Sequence, residues 1–388
     1  MTSLAMTERD ASIGGLARSV TGFFLVATAE SLLPGLAYMV LDEMGLSYGD
    51  QGLLMAGLVS GLVVGNLTGA AMGMYLSVRR SLPVAFWTTA VGCLAVAQAD
   101  NFGHLLAGQM AVGVGAGLFF PVGLCWTHRL AEGRRLSTIM SLWGSAFPLG
   151  LAAAGLLGMA TGDWRVAYRV VAVNCLLWGL YQLRPTSTPS YESTRAVPAP
   201  PGSWLSARSA VLIGAAAAFG YYGAALFLPT YLVDSGSAPG AVAVLIVVAR
   251  CSSFPAKFVV GLLADRLGGV VVGLWVVVVM VVSLIALAAM PLFGFLWAIA
   301  YLLASGSLFP LFYVLVASRR WRGEQILAAG LARALLLVGG VAAGAVTGLV
   351  ADLWGRTAGL GIALLPLSTV VLLGLIALRQ AAGSRCAS

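Results

Sequence analysis

The chain has 388 residues, of which 60% are hydrophobic and only 9% charged, and its formal net charge is +8. A soluble domain carries about 25% charged residues, so this composition excludes a soluble enzyme, a disordered protein and a nucleic-acid-binding protein. The apolar residues suffice for up to about a dozen membrane-spanning helices of ~20 residues each.

Long apolar runs separated by short polar clusters predict six helices in the first part of the chain, at about 19–41, 51–75, 83–99, 104–126, 137–160 and 166–184. Residues 185–206 are rich in Pro, Ser and Thr, which predicts a cytoplasmic linker. Six more helices are predicted at 207–232, 239–262, 270–289, 293–317, 325–349 and 357–379. The chain is therefore predicted to be an all-α membrane protein with an N-terminal half (1–184), the linker and a C-terminal half (207–388).

The positions of the basic residues predict that both ends of the chain are cytoplasmic. In that orientation only Arg165, Arg169 and Arg356 fall on exterior segments. Nearly all other arginines fall on cytoplasmic segments, where Arg and Lys are normally enriched. The predicted location is the plasma or inner membrane.

Short segments of the first half recur in the second at a spacing near 190 residues. GLFFP at 117–121 matches GSLFP at 306–310, and DWR at 163–165 matches Asp352 followed by WGR at 354–356. LPG at 33–35 matches LPT at 228–230. Two repeated six-helix halves predict a substrate site between them, near the middle of the membrane.

The segment GLLADRLG at 261–268 resembles the cytoplasmic loop motif of the major facilitator superfamily. GVGAG at 113–117, GDWR at 162–165 and the tyrosine–proline pattern at 221–231 are also similar to that family. The resemblance covers essentially the whole chain and implies a secondary transporter with two pseudo-symmetric halves that moves a small-molecule substrate by alternating access. The implied cytoplasmic gate consists of Gly261, Asp265, Arg266 and Gly268, with Lys257 nearby. For Lys257 a side chain that extends toward the cytoplasmic surface is expected.

Two positions depart from the family pattern in the first half. Ser77 stands where the family usually has an aspartate, and Gln109 stands where it often has an arginine. The resemblance implies that this aspartate and arginine help to lock the inner gate and to couple protons. We therefore expect the gate pairing of the first half to be weakened or replaced.

Three charged residues, Glu30, Arg250 and Arg333, fall well inside predicted helices. A charge at the centre of a bilayer costs about 2.5–3.5 kcal/mol on insertion scales, so these side chains either form a fixed pair or serve transport. Glu30 is the only acidic residue inside a span, and it is the candidate for proton coupling or for contact with a cationic drug. Arginines keep their charge, and one carboxylate cannot balance two of them. The surplus positive charge favours an anionic substrate.

Several large or polar side chains also fall at mid-membrane depth and are candidates for the lining of a substrate cavity. They are Tyr38, Asn66, Trp126, Tyr221, Tyr222, Tyr301 and Phe312. Each aromatic residue could equally belong to the core or to the aromatic belt at the membrane interface.

No phosphate-binding loop or Cys/His cluster is present in the sequence, so neither ATP hydrolysis, a metal site nor any cofactor is predicted. The leading prediction is a monomeric transporter in the lipid bilayer that exports a small amphipathic or anionic compound with proton coupling. A partial likeness of GSAFPLG at 144–150 to the motif of the family's antiporters favours export. The alternatives are proton-coupled uptake of an organic anion and a membrane sensor or scaffold that transports nothing.

Overall fold

The structure, a computed structural model, describes residues 2–130, 136–184, 214, 218–225, 227–267, 269–290, 293–317, 325–369 and 373. Every regular element within these residues is helical. The predicted linker, 185–206, lies outside them.

The N-terminal half contains six long helices that connect through short turns. They are α1 (Thr2–Met44), α2 (Tyr48–Tyr75), α3 (Val78–Ala97), α4 (Phe102–Leu130), α5 (Leu136–Thr161) and α6 (Trp164–Gln182). Ser47 begins α2 with a capping box that it forms with Asp50. Asp163 begins α6 by accepting hydrogen bonds from the backbone N–H groups of Arg165 and Val166. Polar side chains of this kind stabilise helix starts because they satisfy N–H groups that have no partner within the helix.

The C-terminal half begins, within the described residues, with a short π-helical turn, Gly220–Ala225. After it come α7 (Leu228–Asp234), α8 (Pro239–Leu267), α9 (Gly269–Ala289), α10 (Gly294–Ala317), α11 (Gln325–Trp354) and α12 (Arg356–Gly361). Residues 364–369 are also helical, and the rest of the predicted twelfth helix lies largely outside the described residues.

Two sequence-based helix assignments need correction. The predicted helix at 207–232 is not one regular α-helix, because the π-helical turn and a break at Phe227 precede α7. The predicted loop at 261–268 is helical as far as Leu267, since α8 continues five residues beyond its predicted end. A π-helical turn leaves no mark in the hydrophobic pattern, because it inserts a residue without changing which residues are apolar.

Eight helices within the described residues are long and apolar enough to cross a membrane. They are α1 to α5, α8, α9 and α11. Helix α6 is less apolar because Arg165 and Arg169 lie in its first two turns. Helix α10 has a shorter apolar part, Gly294–Leu308, within the residues whose side chains the structure describes.

Glycines allow α2 to lie unusually close to α4. A Cβ atom on Gly113 of α4 would lie 2.0 Å from the backbone oxygen of Leu58, and one on Gly65 of α2 would lie 2.2 Å from that of Val114. A larger residue at either position would separate the two backbones. Small residues at four-residue spacing serve this purpose in membrane helices, where packing rather than the hydrophobic effect holds helices together.

Helix α2 also joins the two halves, because its other side packs against α11. A Cβ atom on Gly348 would lie 2.3 Å from the oxygen of Tyr48, at the start of α2, and one on Gly73 would lie 2.4 Å from the Ile326 side chain at the other end. In two further contacts between the halves, α5 packs against α8 and α1 contacts α7. The centre of the molecule therefore lies between α1, α5, α7, α8 and α11.

Candidate functional site

Glu30 and Arg333 form an ion pair between the two halves at the centre of the molecule. Nη2 of Arg333 on α11 lies 3.6 Å from Oε2 of Glu30 on α1. The hydroxyl of Tyr222 donates a hydrogen bond of 3.0 Å to Oε1 of the same carboxylate. Glu30 is 4% exposed and Arg333 is 6% exposed, so water does not screen the attraction between them.

Tyr222 reaches Glu30 from the π-helical turn, which holds two adjacent tyrosines. The rings of Tyr221 and Tyr222 are nearly perpendicular, with centroids 5.1 Å apart. Tyr301 of α10 donates a hydrogen bond of 2.5 Å to the backbone oxygen of Gly220, which supports the first residue of the turn. Single π-helical turns often occur at functional sites. In this turn Tyr222 contacts Glu30, and Tyr221 contacts Arg250.

Arg250 lies on the other side of the tyrosine pair. Its guanidinium carbon is 5.2 Å from the centroid of the Tyr221 ring, a distance typical of a cation–π contact. The residue is 4% exposed, and its Nε atom has no hydrogen-bond partner. Within the described part of the chain, no carboxylate forms an ion pair with Arg250.

Arg250 lines a narrow cavity between the halves. The other helices that line the cavity contribute, among others, Ser31 and Pro34 of α1, Leu151 of α5, Leu228 of α7 and Leu302 of α10. The walls are therefore mainly apolar, with one buried cation. Apolar walls with few polar groups are typical of sites for small organic molecules.

Lys257 lies two helical turns from Arg250 on α8. Its Nζ atom is 5.8 Å from the centroid of the Phe147 ring on α5. Since α5 and α8 belong to different halves, Lys257 bridges the interface between them.

The remaining predicted cavity residues occupy varied places. Asn66 is fully buried in α2 beside Gly330 of α11, and its Oδ1 atom has no hydrogen-bond partner. Trp126 is 3% exposed with an unpartnered Nε1 atom, and Tyr38 is half-buried on α1. The Phe312 side chain lies outside the described part of the structure.

The predicted cytoplasmic gate lies at the end of α8. Gly261 and Asp265 are in this helix, and Arg266 is exposed near its last residue. Gly268 and the Asp265 side chain lie outside the described part of the structure. Of the two first-half departures, Gln109 donates a hydrogen bond of 2.7 Å to the Tyr168 hydroxyl. Ser77 precedes α3, and its side chain forms no hydrogen bond to the start of that helix.

The sequence analysis missed two aromatic residues that contact the central cations. The Phe120 ring lies 3.7 Å from the guanidinium carbon of Arg333, and Phe147 contacts both Lys257 and Tyr221. Each phenylalanine directly precedes a proline inside a helix, in segments that the sequence analysis had singled out. The spacing along the chain does not show, however, that these rings face the charges.

Within the described residues, no three His, Cys, Asp or Glu side chains are placed to hold a metal ion. The titratable groups that do come together are one carboxylate, three cations and two tyrosines. Such a set can bind an anion, and its carboxylate can exchange a proton.

Comparison with known proteins gives a family match over most of the chain. A family model described as Major Facilitator Superfamily matches residues 19–335. The chain is also similar to a chloramphenicol resistance protein of Streptomyces lividans, with 26% identity over 254 residues. That match covers 62% of this chain and 64% of the relative, so the chain aligns with less than two thirds of the length of that curated protein.

Solved transporter structures share the fold. A bacterial homologue of the human lysosomal transporter Spinster, inward-facing and unoccupied, matches with a TM-score of 0.71 and 14% identity over 95% of each chain. The nucleoside transporter NupG matches with a TM-score of 0.74 and 12% identity over 93% of this chain and 99% of that one. At these identities the likeness concerns the fold alone, and it confirms the predicted fold class.

Proposed function

The chain belongs to the Major Facilitator Superfamily of transporters, and we propose that it exports a small anionic or amphipathic organic compound in exchange for protons. The observation that carries the proposal is the buried Glu30–Arg333 pair, which joins one half to the other at the centre of the molecule. Alternating access requires the halves to move relative to each other, and a contact between them must then be released.

Protonation of Glu30 is the proposed release step. The charged carboxylate is held by Arg333 and Tyr222, both from the C-terminal half. A neutral carboxyl group loses its attraction to the guanidinium. A proton that arrives from outside would therefore loosen the central contact between the halves, and its departure to the cytoplasm would restore the contact.

Arg250 is the proposed anchor for the negative charge of the substrate. It is buried at the cavity wall, and its Nε atom lacks a partner. An anion that enters the cavity would supply the missing counter-ion, while Tyr221 and the apolar walls would contact the rest of the molecule. Export is supported by the similarity to the Streptomyces relative, which is a chloramphenicol resistance protein.

Inverted proteoliposomes with an acidic lumen and a pH-sensitive dye inside test the direction and the coupling. Chloramphenicol and benzoate serve as an uncharged and an anionic probe. For an exporter that exchanges protons, addition of a transported probe outside makes the lumen more alkaline, whereas an uptake system produces no such change. We expect Glu30→Gln to abolish the proton signal, and an unchanged signal in this variant would show that Glu30 does not couple protons.

Arg250→Ala tests the role of the buried cation in substrate choice. Since the variant removes the only charge at the cavity wall described here, we expect binding of benzoate to fall at least tenfold. Binding of chloramphenicol, which is uncharged, should change less than threefold. Equal losses for both probes would instead indicate that Arg250 supports the structure of the cavity.

A further inference from the structure

Arg250 and Lys257 lie on one face of α8, on either side of its midpoint. The two residues are seven positions apart, which is close to two full turns and a rise of about 10 Å. Ser253, the middle residue of the helix Pro239–Leu267, lies between them and is 1% exposed. Both cations therefore lie within about one turn of the middle of α8, and neither is at the end of the helix.

The Lys257 side chain points into the space between the halves. Its ammonium group lies against the Phe147 ring of the opposite half. A Cβ atom on Gly306 of α10 would lie 4.0 Å from Cε of Lys257 and 3.7 Å from Oγ of Ser253. The absence of a side chain at Gly306 leaves room here, so the Lys257 side chain lies between α5 and α10.

The two cations lack a counter-ion within the described part of the chain. Glu30, the acidic residue at the centre, already pairs with Arg333. Neither Arg250 nor Lys257 forms a salt bridge or a hydrogen bond with another described side chain. Arg250 is buried and Lys257 is partly buried. Positive charges without partners are unfavourable in a membrane, and one ligand with two negative charges would balance both.

We propose that Arg250 and Lys257 form a two-cation substrate site and that the transported compound is a small organic dianion. This proposal rests on the proposed function and names its substrate class. The charged groups of the compound, carboxylates or a phosphate monoester, would lie between the two cations. Its apolar part would lie against the rings of Tyr221 and Phe147, whose centroids are 6.5 Å apart.

A cysteine at position 257 tests the geometry without knowledge of the substrate. Lys257→Cys is made in a full-length chain whose five native cysteines are replaced by alanine. It is treated with two methanethiosulfonate reagents, one carrying a sulfonate and one a trimethylammonium group. The rate at which each reagent modifies the protein is divided by its rate with free 2-mercaptoethanol, which corrects for the intrinsic reactivity of the reagent. We expect at least a tenfold preference for the anionic reagent, and at least a fivefold loss of that preference when Arg250→Gln is added. The same preference with and without Arg250 would overturn the two-cation site.

Binding of matched probes tests the substrate class. Benzoate carries one negative charge, whereas terephthalate and phenyl phosphate each carry two on the same benzene ring. Comparison of these two dianions distinguishes a preference for carboxylates from a preference for a phosphate ester. We expect at least one dianion to bind the purified protein tenfold more tightly than benzoate. Lys257→Gln should reduce its affinity to that of benzoate, and the control Lys257→Arg should retain the preference.

The pattern of losses separates this inference from the proposed function. If Lys257→Gln leaves the preference for the dianion unchanged while Arg250→Gln weakens all three anions, the two-cation site is wrong and the anion-binding role of Arg250 stands. If Arg250→Gln changes no affinity, both are wrong. If neither dianion binds more tightly than benzoate, the dianion class is overturned and the exporter proposal is unaffected.

Discussion

The central ion pair has an energetic consequence at the scale of single residues. Glu30 and Arg333 are almost fully buried, so removal of one partner leaves the other charge without solvent and without a counter-ion. Loss of one member of a buried pair typically costs about 3–5 kcal/mol, whereas replacement of both by neutral groups costs much less. The pair should therefore show strong coupling in a double-mutant cycle.

We expect Arg333→Gln alone to lower the thermal unfolding midpoint of the purified protein, and Glu30→Gln/Arg333→Gln to recover a large part of the loss. A coupling of about 1 kcal/mol or more is typical of residues in direct contact. The matched control is Glu30→Gln/Arg250→Gln, because no ion pair joins these two residues in the described structure. Additive effects in the first cycle would show that Glu30 and Arg333 are not paired in solution.

Close packing of glycines is the main feature at the scale of helices. A methyl group on Gly113 would overlap the Leu58 backbone oxygen, whereas a Cβ atom on Gly144 of α5 meets nothing within 4 Å. Alanine is favoured over glycine in a helix by about 0.8–1.0 kcal/mol, so the same substitution should have opposite effects at the two positions.

Gly113→Ala is expected to lower the thermal unfolding midpoint, because α2 and α4 must move apart to admit the methyl group. Gly144→Ala, the control, should leave the midpoint unchanged or raise it slightly. Both are measured on detergent-purified protein by the loss of the monodisperse peak after heating. A Gly113→Ala variant as stable as the parent would contradict the close approach of α2 and α4.

At the scale of the whole molecule, a second group of polar contacts joins the two halves. At the end of α11 that is predicted to be external, Oδ2 of Asp352 accepts hydrogen bonds from Ser47 Oγ (2.9 Å) and from the Gly49 backbone N–H (2.8 Å). Both donors lie at the start of α2, where a negative charge is also favoured by the helix dipole. The Tyr48 hydroxyl donates to Asp234 at the end of α7. These contacts hold together the ends of the two halves that are predicted to be external.

Asp352→Asn should weaken this external contact and increase the fraction of molecules that open outward. We expect Ser31→Cys, which lies in the Arg250 cavity, to react about three- to tenfold faster with a membrane-impermeant maleimide added outside. The repeat-related Asp163 is the matched control, because it caps α6 within its own half. Asp163→Asn should not raise the rate, and an equal increase in both variants would assign the effect to general loosening.

The sequence by itself determined the fold class and the helix count of the first half, and it predicted that the three central charges lie well inside helices. These features follow from local properties, since a long apolar run must form a membrane helix and a charge inside it is conspicuous. It also predicted Glu30 as the only acidic residue inside a predicted span, which limits the ways in which the central charges can balance.

Only the tertiary structure decided which charges meet. Glu30 is separated by about 300 residues from Arg333, and no pattern in the chain distinguishes Arg333 from Arg250 as its partner. The π-helical turn, the contacts of Phe120 and Phe147 with the cations, and the inward direction of Lys257 depend on how helices from both halves rotate and pack. Such contacts arise from side-chain geometry across helix interfaces, which the periodicity of a single chain segment does not encode.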